Sequence, residues 1–202
     1  VPRSVGDLRF MAHCGCIWPN VRFVGFEINE YLHKANRLIA FIGGAQIDPY
    51  GNVNSTSIGD YHHPKTRFTG SGGANGIATY SNTIIMMQHE KRRFMNKIDY
   101  VTSPGWIDGP GGRERLGLPG DVGPQLVVTD KGILKFDEKT KRMYLAAYYP
   151  TSSPEDVLEN TGFDLDVSKA VELEAPDPEV IKLIREEIDP GQAFIQVPTE
   201  AK

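Results

Sequence analysis

The run Gly70-Ser71-Gly72-Gly73-Ala74-Asn75-Gly76 constrains this chain more than any other stretch. Four of its seven residues are glycine, so the backbone there can take positive φ and lets another molecule approach closely. A helix-compatible segment to about Tyr80 follows, then an apolar strand, Thr83-Ile84-Ile85-Met86-Met87-Gln88. Successive exposed N–H groups in such a loop form a concavity for negative charge, better still where a helix starts. Two chemistries use that concavity: cradling a phosphate, and stabilising an oxyanion during acyl transfer. A tight strand-to-helix turn with no ligand fits the same residues.

Composition narrows the partners. The 202 residues carry a net charge of −4, and 40% are hydrophobic and 24% charged. That is enough apolar residue for a real core, in one sizeable domain or two small ones. The acidic balance argues against nucleic acid, and the densest basic run, Lys91-Arg92-Arg93, sits beside Glu90 as a solvated turn. Cys14 and Cys16 are one residue apart, a spacing that strains a disulfide, so two free thiols are expected. His13 lies beside them, but no second Cys/His pair at ligand spacing exists, and no metal is expected. No apolar run reaches the length of a membrane span and no signal peptide is visible, so no membrane partner is expected. The chain opens Val1-Pro2-Arg3-Ser4 without Met, which reads as a product lacking an N-terminal segment.

In chain order, Val21–Gly25 reads as a short strand or turn. Ile28, Tyr31, Leu32 and Ala35 then share one helix face, with Asn36 to end it. Leu38-Ile39-Ala40-Phe41-Ile42 fits a strand covered on both sheet faces, as in a parallel α/β sheet. Gln46 then falls near the C-terminal end of that strand, the edge where open α/β sheets bind ligands. Asp48–Asn52 is a turn, and Val53–Thr56 a short strand. Tyr61-His62-His63-Pro64 reads as a polar loop, and Ile98–Thr102 as a strand. Residues 104–124, rich in Gly and Pro, read as a long loop in which Arg113 and Arg115 offer charge to an anionic ligand or partner. Gln125–Thr129, Ile133–Phe136 and Arg142–Tyr149 form an antiparallel meander with turns at Asp130-Lys131-Gly132 and Asp137–Thr140. Ser153-Pro154-Glu155 and Asp177-Pro178-Glu179 are helix starts: a capping side chain, proline at the first position, then acid. The second of these helices carries Val180, Ile181, Ile184 and Ile188 as a packing stripe.

Taken together, Gly44-Ala45-Gln46-Ile47-Asp48, Gly51-Asn52-Val53-Asn54, the glycine run 70–76 and Tyr100-Val101-Thr102-Ser103-Pro104-Gly105 resemble the B subunits of family I CoA-transferases. The likeness runs through essentially the whole chain and implies a single B-subunit domain over 1–202, lacking its N-terminal segment. It implies an open α/β/α architecture of the NagB/RpiA/CoA-transferase kind, with a mainly parallel central sheet and the meander near 125–149. It also implies a cytoplasmic enzyme working with a separate A subunit. Such enzymes move CoA from acetyl-CoA to dicarboxylates such as glutaconate or 2-hydroxyglutarate in anaerobic glutamate fermentation. Coenzyme A is a substrate there, and no permanently bound cofactor is expected. A glutamate attacks the acyl-CoA carbonyl and a glutamyl–CoA thioester follows. Carried onto this sequence, Gly72 and Gly73 supply oxyanion-binding N–H groups, Gln46 meets the reacting acyl group, and Gly70, Ser71 and Asn75 orient the loop or meet CoA.

The family's nucleophile sits in a Glu-Ser-Gly or Glu-Asn-Gly turn, and neither tripeptide occurs here. Glu159-Asn160-Thr161-Gly162 is near in spelling but reads as a helix terminus, and Glu27 and Glu30 as solvated. The expectation is that the glutamate lies upstream of Val1. Relatives without that glutamate, which hydrolyse a C–C bond in a CoA ester, are the alternative enzyme class. A non-catalytic module that binds CoA or a partner is the third reading.

Overall fold

The register of one sheet organises the fold. Ile42 pairs with Ile85, Ile85 with Val127, Val127 with Leu134 and Leu134 with Leu145, a single row of apolar side chains across five strands. Every member of the row is buried. The computed structural model describes residues 39–69 and 71–192. The expected short strand or turn at 21–25, the expected helix at 28–36, Cys14, Cys16 and Gly70 lie outside them.

The sheet is built from β1 (Ile39–Ile42), β6 (Asn82–Met86), β7 (Pro124–Val128), β8 (Gly132–Phe136), β9 (Met143–Tyr148) and β10 (Val171–Glu172), in that spatial order. β1, β6 and β7 run parallel, β7–β8–β9 form the antiparallel meander, and β10 returns parallel to β9. The open, mainly parallel sheet and the meander are as expected, and the meander continues the parallel part without a break. Two short ladders flank it: β2 (Gln46–Ile47) with β3 (Val53–Asn54), and β4 (Ser57–Ile58) with β5 (Thr66–Arg67).

Strand side chains alternate between faces, so burial alternates too. In β9, Met143, Leu145 and Ala147 are buried while Tyr144, Ala146 and Tyr148 are half-buried. The buried row joins Ala78 of α1 (Gly72–Tyr80) and Val157 of α3 (Pro154–Glu159) in one core. β1 departs from its expected two-sided burial. Among the described residues it ends the strand order and pairs only with β6, and Ile39 is 66% and Phe41 67% exposed.

Local chemistry sets the helix ends as expected. Ser153 Oγ accepts from Asp156 N at 3.2 Å, and Asp177 Oδ1 from Glu179 N at 2.9 Å. α3 ends at Glu159 with Asn160 as its C-cap, so Glu159–Gly162 is a helix terminus. The last described helix, α4 (Pro178–Leu183), continues as a π-helical turn to Ile188. Of its expected packing stripe, Ile181 and Ile184 are half-buried, while Val180 and Ile188 are exposed.

The expected strand at 98–102 does not form. Its backbone is satisfied from elsewhere: Asp99 N donates to Gln46 Oε1 at 3.0 Å, and Thr102 N and Ser103 N both donate to Val53 O at 2.9 Å. Only Ser103 makes a bridge, to Val53. The long loop 104–124 holds one helical turn, α2 (Gly112–Arg115). No described helix is long and apolar enough to cross a membrane.

Candidate active site

α1 turns the glycine run into a helix start. Ser71 is its N-cap, with φ −117° and ψ 2°, and its side chain makes no capping bond. Gly72 and Gly73 therefore open a helix whose first N–H groups have no intrahelical acceptor. These groups carry the positive end of the helix dipole. Gly72 is exposed, and a Cβ built on it meets nothing within 4 Å, so the space before it is open. α1 leads through Ser81 into the start of β6, and Ala78 packs in the sheet core. Its first turn therefore points toward the edge where β1 and β6 end.

The loop 99–105 lines α1 on one side. Asn75 Nδ2 donates to Thr102 O at 3.1 Å, and Ser103 Oγ donates to Ala74 O at 3.2 Å. Thr102 Oγ1 also accepts from Ser55 N at 2.9 Å and lies 2.7 Å from Thr56 Oγ1. The glycine-run helix is thus tied to the segment that follows β3. Ser71 precedes α1 as its N-cap, and Asn75 is the fourth residue of the helix.

Gln46 is four residues past the end of β1, in β2, and is 3% exposed. Its amide is saturated. Oε1 accepts from Asn54 Nδ2 at 2.6 Å and from Asp99 N at 3.0 Å. Nε2 donates to Asp99 Oδ2 at 2.8 Å and to Met95 Sδ at 3.2 Å. A side-chain amide has two donors and two acceptor lone pairs, and here the protein takes all four. Gln46 braces β2, β3 and the Asp99 loop, and an acyl group reaches it only by exchange with one of those partners. Asp99, which sequence reading did not single out, also accepts from Gly59 N at 2.9 Å. No local pattern in the sequence announces that role, because Gln46 and Asp99 are far apart along the chain.

The Asp48 turn forms as expected and braces the end of the same 99–105 loop. Asp48 Oδ1 accepts from Tyr50 N at 2.9 Å and Asn52 N at 3.0 Å, and Oδ2 from Asn52 Nδ2 at 2.7 Å. Burial still pushes the Asp48 carboxyl above its usual range, against the pull of these Asn52 and Tyr50 donors. Asn52 Oδ1 accepts from Gly105 N at 2.8 Å. Gly105 admits no side chain, since a Cβ there would strike the main chain of Tyr50 and Gly51.

Arg113 overturns its expectation as a charge for an anionic ligand. It is 1% exposed, and its guanidinium is spent on main-chain carbonyls. Burial lowers its pKa to about 10. Arg115 pairs with Asp108 and donates to Pro110 O at 3.2 Å. His62 and His63 sit in an exposed polar loop, their N–H groups on Asp60 Oδ1. Among the described residues no cluster of His, Cys, Asp and Glu fits a metal ion.

Residues 1–160 match the family described as coenzyme A transferase. The B subunit of the 3-oxoadipate CoA-transferase of Pseudomonas knackmussii is 34% identical over 89% of this chain and 68% of its own length. A cholesterol ring-cleaving hydrolase IpdB subunit of Mycobacterium tuberculosis is 28% identical over 74% of this chain and 59% of its own. Among solved structures, the glutaconate coenzyme A-transferase of Acidaminococcus fermentans superposes with a TM-score of 0.85 and 99% identity, over 98% of this chain and 76% of that one. The IpdAB protein of Rhodococcus jostii shares the fold, with a TM-score of 0.68 at 24% identity over 88% of this chain and 71% of its own. The chain belongs to the coenzyme A transferase family.

Proposed function

We propose that this chain is the B subunit of a cytoplasmic enzyme that, with a separate A subunit, transfers CoA from acetyl-CoA to glutaconate or a related dicarboxylate. The observation that carries this reading is the 99% identity to the glutaconate coenzyme A-transferase structure over almost the whole chain. The two-part character of the relatives, the IpdAB assembly among them, supports an A partner. CoA enters as substrate, and no resident cofactor is invoked.

The chemistry balances without redox or metal. A glutamate carboxylate attacks the acetyl-CoA carbonyl, the C–S bond breaks, and CoA thiolate leaves an acetyl–glutamyl anhydride. The thiolate attacks the glutamyl carbonyl of that anhydride, releasing acetate and forming the glutamyl–CoA thioester. The dicarboxylate then attacks this thioester, breaking its C–S bond and forming a second mixed anhydride; the expelled thiolate attacks the dicarboxylate-derived carbonyl, giving the new acyl-CoA and freeing the glutamate carboxylate. Each addition builds an oxyanion. We assign its stabilisation to the N–H groups of Gly72 and Gly73, and CoA binding to Gly70, Ser71 and Asn75. A preplaced main-chain donor of this kind is worth roughly 3–4 kcal/mol of barrier. The nucleophilic glutamate is not assigned to any residue of 1–202, which lack both family tripeptides. Gln46 supports the site as a brace and meets the acyl group only through bond exchange. The C–C hydrolase reading has weaker support, from relatives at 28% identity.

The test is reconstitution. The complete B subunit with its A partner should convert acetyl-CoA and glutaconate to glutaconyl-CoA and acetate. Borohydride with acyl-CoA should then reduce one glutamyl thioester, which peptide mass mapping locates. Hydrolysis of acyl-CoA without transfer, or no covalent enzyme–CoA species, contradicts the proposal.

A further inference from the structure

The helix that carries the proposed oxyanion amides is gripped at its other end by a buried cation. Ala78 and Thr79 lie in the last turn of α1, where carbonyls receive no intrahelical N–H. Arg113 Nη2 donates to both, at 3.3 and 2.8 Å. Nη1 donates to Pro104 O and Gly105 O, each at 3.1 Å, and Nε to Pro119 O at 2.7 Å. A guanidinium has five N–H bonds in a rigid fork, and main-chain carbonyls from three segments occupy all of its nitrogens. A cation here also complements the negative end of the helix dipole, whose positive end is the first turn.

The segment that Arg113 holds at 104–105 is continuous with the one that touches the first turn. Thr102 O receives Asn75 Nδ2 at 3.1 Å, and Ser103 Oγ donates to Ala74 O at 3.2 Å. Residues 102–105 therefore run beside α1 as a strut, fastened near the first turn by Ser103 and Asn75 and at the last turn by Arg113. The strut is itself fixed, because Gly105 sits hard against the Tyr50–Gly51 main chain. A donor that must be in place before charge develops loses its effect when displaced, and about 1 Å is worth on the order of 10²-fold.

We propose that Arg113 is a positioning residue for CoA transfer: its fork sets α1 on the 102–105 strut so that the first-turn N–H groups meet the developing oxyanion. The inference rests on the oxyanion reading of Gly72 and Gly73. Lysine cannot substitute, being a point charge without the planar fork that spans three segments.

The test compares Arg113→Lys with Gly73→Pro in the assembled two-subunit enzyme. Folded fraction is read by circular dichroism and assembly by size-exclusion chromatography. Arg113→Lys should lower kcat about 10- to 100-fold per folded enzyme, with KM for acetyl-CoA within about threefold, as displaced donors require. Unchanged kcat per folded enzyme, or a raised KM at constant kcat, overturns the inference. If Arg113→Lys does not assemble, Ser103→Ala loosens the same strut by one hydroxyl and should lower kcat about threefold at constant KM, the loss from a small misplacement of donors; no change in kcat overturns it. Should Gly73→Pro leave turnover intact, the oxyanion reading falls and this inference with it. Should Gly73→Pro depress turnover while Arg113→Lys does not, the positioning role alone falls.

Discussion

Gln46 Oε1 accepts from Asn54 Nδ2 at 2.6 Å, and the two residues are register partners across β2 and β3. The same oxygen holds Asp99 N, and the same amide's nitrogen holds Asp99 Oδ2, so one side chain fixes two strands and a loop. Gln46→Glu replaces the donor to Asp99 with a second carboxylate. We expect a destabilisation of about 2–3 kcal/mol at pH 7 by urea unfolding, from the lost bonds and the like charge. The new glutamate, buried beside Asp99, should titrate above the usual range, so the loss shrinks as pH falls toward about 4.5. A pH-independent loss would contradict the pairing.

The buried row across the sheet predicts a contrast. Leu145 is fully buried opposite Leu134, and Leu145→Ala should cost about 2–5 kcal/mol. Lys135 is the neighbouring position on β8, on the exposed face, and Lys135→Ala should change stability by less than about 0.5 kcal/mol. Equal losses in thermal unfolding would mean the register is wrong.

His89 predicts an acid limb. It is buried, stacked on Phe94 at 3.9 Å, and its Nε2 lies 3.0 Å from Thr161 Oγ1. Burial, with a smaller push from Lys131, lowers its pKa from 6.5 to about 4, against the opposing pull of Asp130 and Asp156. The unfolded chain therefore binds a proton that the folded chain refuses between those two values. Stability is full above pH 6.5 and is lost as pH falls toward 4, by roughly 3 kcal/mol in all. His89→Gln should flatten this limb in denaturant unfolding measured from about pH 7.5 to about 4.5. An equally steep limb in the variant would assign it to other groups.

What the sequence made legible was what local chemistry decides. The caps Ser153 and Asp177 with their prolines, the β7–β8–β9 meander and the helix ending at Tyr80 all depend on neighbours a few residues away. The misread stretches depend on distant ones. Residues 98–102 look like a strand, but Gln46 and Val53 take their N–H groups. Arg113 looks like a free charge in a glycine-rich loop, yet its acceptors come from residues 78–79, 104–105 and 119. Nothing in a linear pattern marks carbonyls that have lost their helical partners. The candidate site was suggested by a glycine run and a family likeness, whereas the saturation of Gln46 depends on Asn54, Met95 and Asp99, which no local pattern links to it.

Gly73 offers the most direct measurement, because it stands second in α1, where proline removes an N–H without removing a helical bond. Turnover of the assembled enzyme should be compared for Gly73→Ala, which keeps the N–H, and Gly73→Pro, which does not. The account predicts that kcat for CoA transfer falls about 10²- to 10³-fold further in the proline variant than in the alanine variant. Equal kcat in the two folded variants would contradict main-chain stabilisation of the oxyanion by this turn.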